Sequence, residues 1–163
     1  MHSPSADLGA DRGERNVRMT AGNEMDNIAY TDEISLEDYV SLREAVSFKA
    51  LTKRQAEAAI ANHSFLIAAK DGGKTVGMTR LVSDGAYIAT ITDVIVLPEY
   101  QGKGIGGAMI EKTLEYIKSV ARDGESFLVL LLAAKGKEGF YEKFGFVRRP
   151  DEQYGAGMSQ WLC

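Results

Sequence analysis

The sequence predicts an α/β domain with a mixed central sheet. From residue 25 onward, strand-like apolar runs alternate with segments of helical periodicity. Short turn-forming segments join them, without an internal repeat or a low-complexity linker. The 163 residues, 45% of them hydrophobic, suffice for the core of one domain. We therefore expect a single domain over residues 25–163, preceded by a polar, disordered leader over residues 1–24.

The first part of the domain predicts one strand and two helices. The stretch DNIAYTDEI, residues 26–34, is typical of a strand. Ser35, followed three residues later by an acid, is typical of a helix N-terminus and predicts a helix over residues 36–46. A second helix is predicted from Thr52 through KRQAEAAIANH, residues 53–63.

The middle of the chain predicts three strands and a long helix. Two strands flank the Asp-Gly-Gly turn at residues 71–73, and a long third strand follows Asp84 and Gly85. After a glycine-rich stretch, apolar residues recur at helical spacing and predict a helix from about Gly104 to Ala121.

The last part of the domain predicts another strand, a short helix and one or two final strands. SFLVLLLAA, residues 126–134, is apolar at successive positions, as expected of a strand buried on both faces. KEGFYEKFG, residues 137–145, predicts the short helix. FVRRP at 146–150 and GMSQWL at 157–162 are the candidate final strands.

Composition excludes several classes of partner. The net charge of −4, without a block of five or six like charges, argues against nucleic acid and anionic membranes. The longest apolar run, residues 127–134, is far shorter than the roughly 20 residues of a membrane-spanning helix. The single cysteine, Cys163, rules out an internal disulfide and favours a cytoplasmic location. Since no His, Cys or carboxylate cluster has metal-ligand spacing, we predict no metal site.

The stretch LPEYQGKGIGGAMIEK, residues 97–112, places four glycines within six positions at a predicted helix start. Helix N-termini stabilise anions, and glycines let a backbone approach a ligand closely, so the pattern indicates a phosphate site. Gly102, Gly104 and Gly107 also satisfy the dinucleotide pattern G-x-G-x-x-G, but PEYQ separates them from the strand, and the next strand ends in AAK. No Gly-Lys-Ser/Thr completes a triphosphate loop. A glycine-rich helix start without a ligand stays open as an alternative.

A resemblance to a known protein family involves more of these residues. Gln101-x-x-Gly104-x-Gly106, preceded by VIVLPEY and followed about 35 residues later by GFYEKFGF, resembles the two signatures of the GNAT superfamily of N-acetyltransferases. The resemblance covers residues 26 to about 148 and is nearest to the serotonin N-acetyltransferase-like subgroup. It implies a GNAT-like fold, with a mixed, mostly antiparallel central sheet flanked by helices. It also implies direct transfer of an acetyl group from acetyl-coenzyme A to the primary amine of a small molecule, through a ternary complex. A homodimer is left open.

The resemblance also implies which residues bind acetyl-coenzyme A. The loop amides wrap its pyrophosphate, at the following residues: Gln101, Gly102, Lys103, Gly104, Ile105, Gly106 and Gly107. Lys103 either adds positive charge there or is a solvated surface lysine. The pantetheine arm pairs like an extra strand with the backbone of Ile95 and Val96. An asparagine frequent in the family is Ala134 here, so one expected cofactor contact is missing.

Tyr141 is the implied general acid, which protonates the leaving thiolate from a place at the pantetheine end of the cofactor. The alternative is a core tyrosine packed between Phe140 and Phe144.

The general base is harder to assign. Some family members use a Glu or His at positions that are Thr90 and Thr92 here, and neither threonine is a strong base. Asp93 is the ionisable residue within ATITDVIVL and is therefore the candidate base. Two alternatives stay open: a carboxylate satisfied by neighbouring amides near a bulge of the strand, and proton removal through a water chain. If the base is absent, the chain could instead be a coenzyme A-binding regulatory or sensor domain without turnover.

Overall fold

A computed structural model describes residues 27–162, so the predicted leader, residues 1–24, lies outside the described residues. The described chain forms one five-stranded sheet with helices on both faces. The elements in chain order are β1 Ile28–Thr31, α1 Leu36–Ala45, α2 Lys53–Ala61, β2 Phe65–Asp71, β3 Lys74–Ser83, β4 Ile88–Val96, a 3-10 turn Pro98–Tyr100, α3 Ile105–Val120, β5 Leu128–Leu131 and α4 Glu138–Glu142.

The strands follow one another across the sheet in the order β1-β2-β3-β4-β5. The first four strands pair antiparallel with their neighbours, and β5 pairs parallel with β4. This mixed, mostly antiparallel arrangement confirms the predicted fold class. The parallel pair arises because α3 crosses from the end of β4 back to the start of β5.

Both predicted helix starts in the first part of the domain are confirmed. The Ser35 hydroxyl accepts a hydrogen bond from the Asp38 amide at 3.0 Å. Thr52 forms a reciprocal capping box, in which its hydroxyl accepts from the Gln55 amide and its own amide donates to the Gln55 side chain. Helix α2 ends at Ala61, two residues before the predicted end.

We expect Thr52→Ala to lower the free energy of unfolding by about 1 kcal/mol, because it removes one of the two reciprocal bonds of the cap. Denaturant unfolding monitored by circular dichroism measures the change. Ser41→Ala, an exposed change inside α1, is the matched control and should leave stability equal or slightly higher. Equal stability of wild type and Thr52→Ala would contradict the capping assignment.

The core lies on both faces of the central strands. Helix α3 covers one face, where Ile110 and Ile117 pack with Leu81 and Ile91. The neighbouring residue of β3, Arg80, points to the opposite face, where its guanidinium reaches the Ala59 carbonyl of α2. The layers are therefore α3 on one side and α1 with α2 on the other.

The prediction of a strand buried on both faces at residues 126–134 is wrong. The strand β5 has four residues and forms an end of the sheet. Val129 and Leu131 pack on the α3 side, whereas Leu130 is 40% exposed and Leu132, just beyond the strand, is 79% exposed. An apolar run shows that a strand could be buried, but burial on both faces also needs a covering layer on each.

The predicted final strands are also wrong, because none of the described residues from 146 to 162 belongs to a strand. Polar side chains fix part of this tail instead. Arg148 binds Glu142 through two hydrogen bonds, and Asp151 accepts hydrogen bonds from the amides of Gln153 and Tyr154. The alternation in GMSQWL was too short to identify a strand without a partner edge.

Candidate active site

The central feature of the site is an opening between β4 and β5. Residues Ile88 to Ile91 of β4 pair with β5, and the pairing ends at Ile91. On its other edge β4 stays paired with β3, but two residues, Asp93 and Val94, oppose one residue of β3 at a bulge. The last residues of β4 thus present backbone groups to a space that β5 leaves open.

The glycine-rich loop lies directly beyond this open edge. The Gln101 side chain donates a hydrogen bond to the Val96 carbonyl at 3.0 Å and so fastens the loop to the end of β4. Gly102 and Gly104 have φ values of 76° and 82°, which other residues rarely adopt. Gly104 is the N-cap of α3 and supplies no side-chain cap, so the first amides of the helix are available to an anion.

A cleft of about 550 Å³ joins the loop to the open edge of β4. Most predicted cofactor residues line it together: Ile95, Val96, Gln101, Gly102, Gly104, Ile105, Gly106, Gly107 and Tyr141. Ala134 lines it as well, at the position where the resemblance expects an asparagine. The structure therefore brings the candidate phosphate site and the candidate acid into one cavity.

Lys103 and Asp93 are the two predicted site residues outside the lining of this cleft. Lys103 lies at an adjacent depression, where its ammonium is 5.3 Å from the centre of the Tyr100 ring. Lys74 lies at the same distance from that ring and pairs with Glu99 at 3.0 Å. Lys103 is thus a partner of the aromatic residue before the loop, and its position at the edge fits a role in surface charge.

Sequence reasoning did not assign several other residues to the cleft, among them Val94, Tyr100 and the following four. Val46 and Phe48 come from the connection between α1 and α2, and Lys137 and Lys143 flank α4. The two lysines bring positive charge to a cavity that we expect to hold a pyrophosphate. Their signal was in the sequence, since Lys143 lies within GFYEKFGF and Lys137 lies two residues before it. Val46 and Phe48 carried no signal, because only the folded chain places the connection here.

Gly106 and Gly107 face aromatic side chains of α4 and the residues after it. A Cβ atom added at Gly106 would lie 3.4 Å from Phe140 and 3.6 Å from Val96, and one added at Gly107 would lie 3.5 Å from Phe144. These are ordinary van der Waals distances, so packing alone does not require glycine at either position.

Tyr141 combines a packed ring with an available hydroxyl. Its ring makes edge-to-face contacts with Phe140 and Phe146, with centroids 4.9 and 6.1 Å apart. The hydroxyl has no hydrogen-bond partner among residues 27–162. Burial raises the pKa of Tyr141 above its ordinary value of 10.0, so the phenol holds its proton at neutral pH. Because Tyr141 lines the cleft, its protonated hydroxyl is the candidate donor to a leaving group there.

Asp93 is buried on the other side of β4, and its partners are side chains rather than the amides considered from the sequence. Its Oδ1 accepts a hydrogen bond from Arg43, and its Oδ2 accepts from Arg80 at 2.9 Å and from the Tyr39 hydroxyl at 3.0 Å. Burial first, and then the Asp93 charge, raise the pKa of Tyr39, which keeps this donor protonated. The catalytic role of Asp93 stays a prediction, and the arrangement favours the structural alternative.

Other base candidates lie in less suitable surroundings. Thr90 and Thr92 pair with Leu130 and Arg80 in the sheet. His63 follows α2, where its Nδ1 lies 2.6 Å from the Ile60 carbonyl, at a depression separate from the cleft. No strong base other than the lysines lines the cleft within the described chain, so proton removal through water becomes the simplest option.

Two further findings concern membrane-spanning helices and metal sites. None of the helices between residues 27 and 162 has the length and apolar character needed to cross a membrane. Over the same residues, His, Cys, Asp and Glu side chains form no group of three that could hold a metal ion.

Comparison with known proteins defines the class. The acetyltransferase (GNAT) domain family matches residues 30–161. The chain is 31% identical to an uncharacterized N-acetyltransferase, ycf52, from Pyropia yezoensis over 122 residues, which cover 72% of this chain and 68% of that protein. It is also 31% identical, over 52% of its length and 40% of the relative's, to serotonin N-acetyltransferase 2, chloroplastic, from Oryza sativa subsp. japonica.

A solved structure agrees with these sequence matches. The crystal structure of a probable acetyltransferase of unknown function from Staphylococcus aureus superposes with a TM-score of 0.73 at 30% identity, covering 82% of this chain and 99% of that one. Fold, cleft and sequence thus define an acyltransferase class. The chain belongs to the GNAT acetyltransferase family.

Proposed function

We propose that the protein transfers an acetyl group from acetyl-coenzyme A to the primary amine of a small molecule, directly within a ternary complex. One observation carries the proposal: the glycine-rich helix start, the open edge of β4 and Tyr141 line a single cleft. Membership of the GNAT family supports it. The dinucleotide alternative gains nothing from the fold, because its site needs a parallel sheet and β1 to β4 are antiparallel.

In this proposal different residues of the cleft bind different parts of acetyl-coenzyme A. The amides from Gly102 to Gly107 hold the pyrophosphate, and Lys137 and Lys143 add positive charge. The backbone of Ile95 and Val96 pairs with the amide groups of the pantetheine arm, which an open strand edge favours. Acetyl-coenzyme A supplies the reactive thioester.

Tyr141 supplies the proton that the leaving sulfur takes up. The amine nitrogen forms a bond to the acetyl carbon, the carbon–sulfur bond breaks, and the sulfur takes the phenolic proton. The ammonium loses one proton to water before attack, because no better base lines the cleft among residues 27–162. The nitrogen loses a second proton to water as the amide forms. Solvent then reprotonates the phenolate, whose raised pKa favours this return.

The acceptor is proposed at the level of chemical class. Val46, Phe48 and Tyr141 contribute apolar and aromatic side chains to the lining of the cleft, which fits an amine with a hydrophobic body. The relative from Oryza sativa carries serotonin N-acetyltransferase in its name, so serotonin belongs in any panel of test amines. That relative is also named chloroplastic, whereas the single cysteine of this chain supports our proposal of a cytoplasmic location.

The test is a thiol-release assay with acetyl-coenzyme A and a panel of arylalkylamines, polyamines, amino sugars and amino acids. We expect amine-dependent thiol release that is fastest with an arylalkylamine. The rate without amine is the control, and mass spectrometry of the product confirms N-acetylation. Tight acetyl-coenzyme A binding without release on any amine would instead favour the sensor domain, for which Ala134 is the supporting observation. A homodimer stays a prediction that light scattering can check.

A further inference from the structure

Two residues other than glycine have positive φ within residues 27–162: Ser47 at 58° and Asp93 at 51°. Such a conformation is unfavourable for these residues and persists when the surroundings hold it in place. Asp93 lies in the bulge of β4, immediately before the strand segment that lines the cleft. Ser47 lies in the connection after α1, between two residues that line the same cleft.

The side chain of Asp93 holds the first of these conformations. Its carboxylate is 4% exposed, and its partners Arg43 and Arg80 are 14% and 13% exposed. Both carboxylate oxygens accept hydrogen bonds from guanidinium groups, and Tyr39 adds a third donor. Charge-assisted hydrogen bonds in such a buried place are strong and geometrically specific. The bulge is therefore fixed by α1 and β3 together.

Arg43 connects Asp93 to the second strained residue. One nitrogen of its guanidinium binds Asp93, and another donates to the Lys49 carbonyl at 3.1 Å. The guanidinium carbon also lies 5.4 Å from the centre of the Phe48 ring. The same side chain thus holds the connection that contains Ser47 and contributes Phe48 to the cleft.

We propose that Asp93 is a positioning residue, which together with Arg43 locks the β4 bulge and the α1–α2 connection into one arrangement and so sets the relative position of two walls of the cleft. This role differs from that of a base, because both carboxylate oxygens already accept hydrogen bonds from side chains of the protein. The expected effect of this arrangement on acetyl-coenzyme A binding rests on the proposed function, whereas its expected effect on the backbone of the two segments does not.

Ligand binding gives the first test, with Asp93→Asn and Arg43→Lys. Asparagine tolerates positive φ and removes the charge, and lysine keeps a charge but cannot bridge Asp93 and Lys49. We expect each variant to bind acetyl-coenzyme A about 10-fold more weakly per folded molecule, as measured by calorimetry. The fold loss of affinity in the double variant should be smaller than the product of the two single losses, because both changes break the same interaction. Glu57→Gln in the exposed Lys53–Glu57 pair is the matched control and should bind like wild type.

The pH–rate profile of Asp93→Asn separates positioning from base catalysis. A positioning role leaves the acidic limb where it is in wild type while the Kd for acetyl-coenzyme A rises. Loss of that limb with an unchanged Kd would overturn the proposal in favour of a base. A lower melting temperature with unchanged affinity and rate per folded molecule would overturn it in favour of a stability role alone.

Hydrogen exchange in the ligand-free protein tests the lock independently. We expect amides 94–96 and 46–49 to exchange about 10-fold faster in both variants, relative to the amides of β2 as an internal reference. Faster exchange in only one segment, or in neither, would contradict the lock. If wild type failed to bind acetyl-coenzyme A, the proposed function would be wrong, while the exchange data would still decide whether Asp93 and Arg43 hold the two segments together.

Discussion

Gly106→Asp is expected to weaken acetyl-coenzyme A binding by more than about 2 kcal/mol, or roughly 30-fold. The new carboxylate would lie at the first turn of α3, where we expect the pyrophosphate, and would repel it while reducing the positive character of the helix start. The added Cβ would also meet Phe140 at 3.4 Å and Val96 at 3.6 Å. Calorimetric titration of the folded variant measures the loss.

Three control variants separate charge from packing. Gly106→Ala adds the same Cβ and should show only the packing effect, and Gly106→Asn has nearly the shape of aspartate without its charge. Gly73→Asp places a carboxylate in the hairpin turn between β2 and β3, where an added Cβ meets no atom within 4 Å, and should bind normally. If Gly106→Ala and Gly106→Asp bound equally well, the loop would be a packing feature rather than an anion site.

Tyr141→Phe is expected to lower turnover by roughly 10- to 1,000-fold, in line with the loss of a positioned acid. The ring contacts with Phe140 and Phe146 survive the change, so the affinity for acetyl-coenzyme A and the melting temperature should barely move. Thiolates of coenzyme A leave readily near neutral pH, which favours the lower end of the range. Steady-state kinetics on an accepted amine give the measurement.

A thioester analogue with a poorer leaving group makes the Tyr141 experiment sharper. The defect of Tyr141→Phe should grow with that analogue, because a poorer leaving group needs the proton more. Tyr116→Phe, which keeps a ring stacked on Phe65 with centroids 4.5 Å apart, is the matched control. Wild-type turnover of Tyr141→Phe on both thioesters would show that Tyr141 serves only to pack the core.

Local signals in the sequence were enough to predict most of the fold. Ser35 and Thr52 marked helix starts because their side chains replace backbone partners within three residues, and such chemistry is visible in one short segment. The Asp-Gly-Gly turn and the glycine-rich loop were predictable for the same reason. The loop residues of the cleft followed from the first motif. Lys143 lies within the second motif and Lys137 just before it.

Long-range pairing explains what the sequence could not predict. Arg43 lies 50 positions from Asp93, so nothing near the acid indicates its partner. The exposure of Leu130 depends on which layer covers β5, and an apolar run carries no information about that layer. The missing final strands have the same cause, because a strand forms only where a partner edge accepts it.

The most direct test of the proposed function is a calorimetric titration of the wild-type protein with acetyl-coenzyme A, compared under the same conditions with NAD⁺. The cleft between the glycine-rich loop and the open edge of β4 predicts saturable binding of one acetyl-coenzyme A per chain and no measurable heat with NAD⁺. Failure to bind acetyl-coenzyme A, or binding of NAD⁺ with equal affinity, would contradict the assignment of this cleft.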